Sequence, residues 1–415
     1  MDRLLLMTQT TSSFPDSTTA QTALQGIRVV DLTAVVFGPM ASQTLADYGA
    51  EVIKVESPAG DSTRYTGPSH TRGLSAIFLG VNRNKKSLCL DLKKAEALQA
   101  LLRLIDTADV LMHSMRPQKM LALGLDAKTL CTRNPRLVYA GLYGFGEGGA
   151  YAGKPAYDDL IQGMSGVVDI VKRQTGQARY FPTIAADKTC AMAATHAILA
   201  ALFQREKTGC GQFIEIPMFE TMTSYLLVEH LYGHHLPDTG VDTGYPRALT
   251  EWRRPYASSD GLVCVMPYTD QHWQRFLLQA GYEVHAKDAR FATIEARTEH
   301  IAYVYETLGS IVATQTTAYW IELCDRIQIP AAPVNRLEDL ENDPHLQSVG
   351  FFRDVQAPDG HPYRFTRNPV RMQNSYVEPE LAPQLGQNTA EVLAQAGLDE
   401  QEIARLVESG AARQS

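Results

Sequence analysis

The chain reads as an α/β protein built on a parallel sheet, joined to a smaller α/β unit. Three observations carry this reading. Short strand-like apolar runs alternate with helical stretches between residues 26 and 146. A turn-rich break then separates that alternation from a second strand–helix series. The length, 415 residues, exceeds the roughly 250–300 residues at which a single core tends to split.

The elements follow in order. "GIRVVDLT" (26–33) is a buried strand ending in a polar turn, "FGPMASQTLADYG" (37–49) a helix with a glycine stop, and "AEVIKVE" (50–56) the next strand. Strand, helix, strand is the unit of a parallel sheet. "SLCLDL" (87–92) adds a strand, "KAEALQALLRLIDTA" (94–108) a helix, "DVLMHSM" (109–115) a strand, and "RLVYAGLYGFG" (136–146) a strand running into a glycine loop. An apolar helix follows Asp187, then a short strand and a long helix in "GQFIEIPMFETMTSYLLVEHLYG" (211–233). Residues 236–260 are rich in turn formers and read as linker. "GLVCVMPYTDQHWQRFLLQAG" (261–281) opens the second unit, helices fill 297–328, and the tail returns to strands before the amphipathic helix "LDEQEIARLVESG" (398–410). The alternation points to a Rossmann-like layer with helices on both faces.

Composition narrows the class. Hydrophobic content of 45% and charged content of 20% describe an ordinary globular protein. A net charge of −8 argues against nucleic-acid or anionic-membrane partners, and no apolar run reaches the 18 residues of a membrane span. The N-terminal apolar core, Leu4–Met7, is too short for a signal peptide, so residues 1–21 read as a flexible tail. Six scattered cysteines without a CxxC pair fit free thiols in a cytoplasmic protein.

Few local motifs carry chemistry. "YGFGEGG" (143–149) contains G-x-G-x-G, but a dinucleotide fingerprint follows the first strand and opens a helix; a close-approach turn is the plainer reading. His230 and His234 have the four-residue spacing of two metal ligands on one helix face. No glutamate accompanies them in an HExxH pattern, Gly233 signals a helix end, and no metal site is expected. Asp187 stands alone at the mouth of the helix in "TIAADKTCAMAATHAILAALFQREKTGCGQ" (183–212). As an isolated residue it reads as an N-cap, worth about 1 kcal/mol.

In combination these stretches resemble the class III CoA-transferases, the CaiB/BaiF group that holds formyl-CoA transferase, L-carnitine CoA-transferase and the α-methylacyl-CoA racemases. The resemblance covers residues 25–410 and rests on "GIRVVDLTAVVFGPMASQTLADYGAEVIKVE", "NRNKKSLCLDLK", "YGFGEGGAYAGKPAYDDLIQGMSG" and "AADKTCAMAATHAILAALFQREKTGCGQFIEIPM", with "AAPVNRLEDLENDPHL" and "LGQNTAEVL" behind them. It implies that Asp187 is a nucleophile. A carboxylate held against a thioester reacts as in a unimolecular step, through acyl–aspartyl anhydrides and an aspartyl-CoA thioester.

The resemblance also implies the CoA contacts. Val35 and Val36 fall where the family's first loop meets the thioester, and Val36 stands where formyl-CoA transferase has glutamine. Leu90, Asp91, Leu92 and Lys93 match the loop near the adenine, and Ser114, Met115 and Arg116 the next CoA-lining turn. Ala122 occupies the place of a phosphate-binding arginine, with Lys119 or Arg116 as the substitute. Tyr157 and Asp158 match residues flanking the catalytic carboxylate.

Racemases carry histidine where this chain has Tyr157, and they need two acid–base groups. Transfer is therefore expected over isomerisation. A catalytically silent CoA-binding protein is the other alternative. Arg247, Arg253 and Arg254 suit a bidentate carboxylate, so a dicarboxylic acid such as succinate is the expected partner. CoA and acyl-CoA enter as substrates, with no permanently bound cofactor. The expected layout is a large CoA-binding domain at 22–225, a linker at 226–249, a small domain at 250–335, and residues 336–415 returning to the large domain. The resemblance implies an interlocked homodimer.

Overall fold

The computed structural model describes residues 21–415, so the expected tail, residues 1–21, falls almost wholly outside the described residues. The chain divides into two compact units. One takes in the chain up to Ala156, Asp187–Thr221 and Ser348–Ser415; the other takes in Tyr157–Ala186 and Met222–Gln347.

The first unit is organised by a mixed α/β layer with a mostly parallel sheet. Strands β1 (Arg28–Leu32), β2 (Glu51–Glu56), β3 (Lys85–Leu90), β4 (Val110–His113), β5 (Val138–Tyr143) and β6 (Phe213–Pro217) lie in the spatial order β3-β2-β1-β4-β5-β6. All six run parallel. The two-residue strand Ala412–Arg413 pairs antiparallel with β3 and closes that edge. Strands buried on both faces lack a polar–apolar alternation; Val29, Ile53, Leu88, Leu111 and Val138 are fully buried. The order reverses at β1, which pairs with β2 on one side and β4 on the other.

Parallel neighbours require crossover connections. Helices α1 (Phe37–Asp47), α2 (Ala95–Asp106), α3 (Pro117–Ala122) and α4 (Ala185–Thr208) lie within such connections, and α5 (Met218–His230) follows β6. In α2 the buried residues Ala97, Ala100, Leu101, Leu104 and Ile105 recur at helical spacing, the stripe that seats a helix on a core. Glu96 in its first turn and Arg103 in its last complement the helix dipole.

Strand β3 starts at Lys85, two residues before its expected start, because Asn84 takes a left-handed conformation (φ 62°) and turns the chain there. Strand β5 is shorter than the expected 136–146, ending where Gly144 packs so tightly on Ala156 that a Cβ would lie 2.3 Å from the alanine methyl.

The second unit carries its own core. The strands Tyr256–Ala257, Leu262–Val265 and Ala331–Pro333 form an antiparallel sheet. Helices Asp270–Gln279, Ile301–Val312 and Thr317–Arg326 bury Trp273, Phe276, Val304, Leu308 and Trp320 among themselves. Part of the turn-rich 236–260 stretch is helical: Pro246 opens the short helix Pro246–Leu249, its fixed φ suiting the first helical position. Among the described residues no helix is long and apolar enough to cross a membrane.

Candidate functional site

Helix α4 is tied to both edges of the sheet. Near its end, Arg205 donates to the Asp109 carboxylate (2.7 Å) and the Arg136 carbonyl (3.5 Å), at the amino ends of β4 and β5. Near its start, the Cys190 thiol lies 3.6 Å from the Met218 carbonyl, just beyond the carboxyl end of β6. The helix therefore runs from the carboxyl edge to the amino edge. Asp187, one turn before Cys190, stands at the carboxyl edge and is 8% exposed. The helix already begins at Ala185, so Asp187 sits within the first turn and is not the N-cap that its position in the sequence suggested.

A third tie sets α4 against α1. The Thr195 hydroxyl lies 3.5 Å from the Ala41 carbonyl. At 1.5 Å per residue, Asp187 lies about 12 Å along α4 from that contact. Helix α1 also starts at the carboxyl edge, after β1. Both helices thus begin at the same edge as the point where strand order reverses, the place where open α/β sheets bind ligands.

A cavity of about 360 Å³ opens at this edge. Its walls come from the turns after four strands: Leu32–Ala34 after β1, Ser57, Gly60 and Asp61 after β2, Leu90–Lys93 at the end of β3, and Met115, Lys119 and Leu123 after β4. Six of the sequence candidates, Leu90, Asp91, Leu92, Lys93, Met115 and Lys119, therefore meet around one space. Val35 and Val36 directly follow its β1 wall, the first partly exposed and the second buried. Ser114 and Arg116 flank Met115 and are exposed. Arg116 is the N-cap residue of α3, and Ala122 is that helix's last residue. Lys93, Arg116 and Lys119 are exposed, and among the described residues none of them makes an ion pair. Lys93 and Lys119 line the cavity and Arg116 adjoins its Met115 wall; cations so placed suit a polyphosphate.

Beside the cavity lies a buried polar network that the sequence reading missed. In register, Asp31 on β1 pairs with Lys54 on β2, and Lys54 with Ser87 on β3. The Lys85 ammonium donates to Asp31 (3.3 Å), the Pro39 carbonyl (2.9 Å) and Asn82 (2.8 Å). Arg64 clasps Glu56 through two nitrogens, 2.8 and 2.6 Å. Lys54 donates to Asp61 (3.0 Å) and to the Thr33 carbonyl (3.0 Å). Burial raises the affinity of Asp31 and Asp61 for protons, but the neighbouring ammonium groups and hydrogen bonds outweigh it and hold both carboxyls below their usual range. Burial pulls Lys85 down to about 7, against the attraction of Asp31. A "GD" dipeptide after a strand reads as a turn, and only the long-range contacts reveal Asp61 as an anchor.

His113 ends β4 at the same edge, fully buried between the edges of Tyr139 and Tyr143, with ring centroids 5.2 and 5.6 Å away. Burial pulls its pKa down to about 4.

The remaining candidates belong to the second unit. Tyr157 is 72% exposed and precedes the helix Asp158–Met164. Asp158 is buried and accepts from the Gln162 amide (2.6 Å). Gln162 also donates to the Thr183 carbonyl (3.0 Å) and accepts from the Phe181 N–H (2.9 Å). Arg247 is buried, 3% exposed, with hydrogen bonds to Thr298 (3.4 Å) and Tyr305 (3.3 Å) hydroxyls. Arg253 and Arg254 are exposed. The first donates to the Arg247 carbonyl (3.4 Å), and the second lies over the Trp252 ring. The three guanidinium groups thus have different partners. Helix α5 ends at His230, whose Nδ1 accepts the Tyr245 N–H (3.2 Å); His230 and His234 do not share a helix face.

Comparison with known proteins places this geometry in a family. The model of CoA-transferase family III matches residues 24–389. A succinate–glutarate CoA-transferase of Agrobacterium fabrum is 32% identical over 387 residues, 90% of this chain and 95% of that protein. A succinyl-CoA:mesaconate CoA-transferase of Haloarcula hispanica is 30% identical over 91% of this chain and 97% of its own length. Among solved structures, a CaiB/BaiF family protein of Brucella suis superposes with a TM-score of 0.75 at 30% identity, covering 90% of this chain and 99% of that one. A mutant of Rv3272 from Mycobacterium tuberculosis gives 0.79 at 29% identity, with the same coverage. The chain belongs to CoA-transferase family III and is a CoA-transferase whose substrates are CoA thioesters.

Proposed function

We propose that this enzyme moves CoA between two carboxylic acids with Asp187 as the covalent nucleophile, and that a dicarboxylate such as succinate is one of the acids. A carboxylate oxygen of Asp187 attacks the thioester carbonyl carbon, and CoA leaves as its thiolate. The thiolate attacks the aspartyl carbonyl of the resulting anhydride, releasing the donor acid and leaving an aspartyl-CoA thioester. The acceptor carboxylate attacks that thioester, again expelling the thiolate and forming a second anhydride. The thiolate finally attacks the acceptor's carbonyl carbon, which frees the new acyl-CoA and restores Asp187. Thioester energy stays in covalent bonds throughout, so no external activation is needed.

The observation that carries the reading is a buried carboxylate, in the first turn of α4, at the carboxyl edge that also opens the cavity. Backbone N–H groups of a helix start stabilise nearby developing negative charge. Leu90, Asp91, Leu92, Lys93, Ser114, Met115, Arg116 and Lys119 are the proposed CoA-binding set, with Val35 and Val36 at the thioester. Arg247, Arg253 and Arg254 are the proposed groups for the acceptor carboxylate. The names of the two relatives support a dicarboxylate. We further read the large domain as Rossmann-like and the assembly as a cytoplasmic, interlocked homodimer.

Mass spectrometry of enzyme quenched during turnover tests the mechanism. The peptide holding Asp187 gains the mass of CoA or acyl, removable by hydroxylamine. Asp187→Ala lowers transfer by about a thousandfold or more with the fold unchanged by circular dichroism. An unmodified peptide in enzyme that is exchanging CoA, or near-normal turnover of the variant, overturns the reading.

A further inference from the structure

Val35 is the anomaly of the cavity rim. Its φ is 71°, in the left-handed region, where a β-branched residue is an outlier. The turn Thr33–Ala34–Val35–Val36 holds no glycine to adopt that conformation freely. Such backbone persists only where its surroundings over-determine it, and here they are visible. The Val35 N–H is shared between the two oxygens of Asp61, at 3.4 and 3.2 Å. Asp61 is itself held by the Lys54 ammonium (3.0 Å), the Thr63 N–H (3.0 Å) and the Thr63 hydroxyl (2.8 Å). The same ammonium takes the Thr33 carbonyl, and the Thr33 N–H donates to Asp31 (2.9 Å). Lys54 thus grips the turn at its start directly and at Val35 through Asp61. From the other side, α1 closes against the turn at Gly38, where a Cβ would lie 2.2 Å from the Thr33 Cβ.

We propose that Asp61, clamped by Lys54, is a positioning residue for acyl transfer: it holds Val35 left-handed and so fixes the turn at which the thioester is presented. This rests on the placement of the thioester at Val35 and Val36 in the preceding reading. Without the clasp, residue 35 relaxes to an extended conformation and the peptide groups on either side of it rotate. The walls formed by residues 90–93 and 115–123 stay where they are. The clasp therefore acts on the reacting end of the ligand, and its loss lowers kcat while leaving KM for the CoA ester nearly unchanged.

The experiment compares Asp61→Ala, Asp61→Asn and the double variant Asp61→Ala/Val35→Gly in steady-state CoA transfer. Asp61→Ala lowers kcat at least tenfold and moves KM for acyl-CoA by less than threefold. Asp61→Asn, which keeps an acceptor for the Val35 N–H, retains more kcat than the alanine variant. Glycine reaches the left-handed region without a clasp, so the double variant recovers at least threefold in kcat over Asp61→Ala. A purely structural role lowers thermal stability without that rescue. An unchanged kcat in Asp61→Ala, or a double variant no faster than the single, overturns the proposal. If Asp61→Ala does not fold, hydrogen exchange on the wild-type enzyme decides: the Val35 amide is protected, and exchange at the rate of an unstructured peptide overturns the clasp. Covalent labelling of Asp187 in the wild type keeps the two readings apart. Labelled enzyme with indifferent Asp61 variants removes this inference alone, whereas unlabelled, active enzyme removes the mechanism.

Discussion

A single imidazole couples the stability of this enzyme to pH. His113 stays neutral in the fold down to about pH 4 because burial excludes the charged form, whereas in the unfolded chain it takes up a proton near 6.5. Between those values the unfolded state binds more protons, so stability is lost as pH falls through that window. The loss approaches roughly 3 kcal/mol near pH 4. Urea unfolding of wild type and His113→Phe at pH 7, 6, 5 and 4 isolates it. The variant's decline is shallower, and parallel curves for the two proteins refute the assignment. Acid inactivation and acid unfolding are therefore to be measured separately, since the histidine ends the strand that leads into the cavity wall at Met115.

Among the elements, the shortest strand has an influence beyond its size. Ala412–Arg413 pairs with Leu90 and Cys89, and the carbonyl just before it, that of Ala411, accepts the Asp91 N–H at 2.8 Å. The C-terminal segment thereby holds the 90–93 turn, which lines the cavity. Gly386 lets the returning chain pass beneath, since a Cβ there would lie 2.4 Å from the Arg413 carbonyl oxygen. Truncation after Ser409 removes these bonds, each worth about 1 kcal/mol net, and takes the buried Ala411 and Ala412 out of the apolar cluster they share with Leu90. We expect the CoA dissociation constant to rise about tenfold, equivalent to about 1.4 kcal/mol, in calorimetric titration. Unchanged affinity in a folded truncated enzyme would show that the turn holds itself.

At the scale of the molecule, what the sequence revealed and what it hid divide by the range of the forces involved. Strands β1 to β5 were legible because burial on both faces imposes continuous apolar runs, and α2 because its buried stripe repeats at helical spacing. The residues lining the cavity were legible only through family resemblance, since Leu90 and Met115 are ordinary core types. The Asp61–Val35 clasp was hidden because its partners lie 26 residues apart and its signature is a backbone angle. The strand at Ala412 was hidden because two residues carry no pattern. The second unit has a buried cluster of its own, running from Tyr256 to Ile329, within residues 250–335. Within those bounds Arg297, fully buried, donates to the Phe291 carbonyl (2.8 Å) and to Asp270 (2.7 Å), and the Trp320 indole donates to the Val312 carbonyl (2.6 Å). A segment of under about a hundred residues with its own apolar core meets the main requirement of an independent domain. Residues 250–335 expressed alone should therefore give a helical spectrum and a cooperative thermal transition. A fragment that melts without cooperativity would mean that this core needs the rest of the chain to close it.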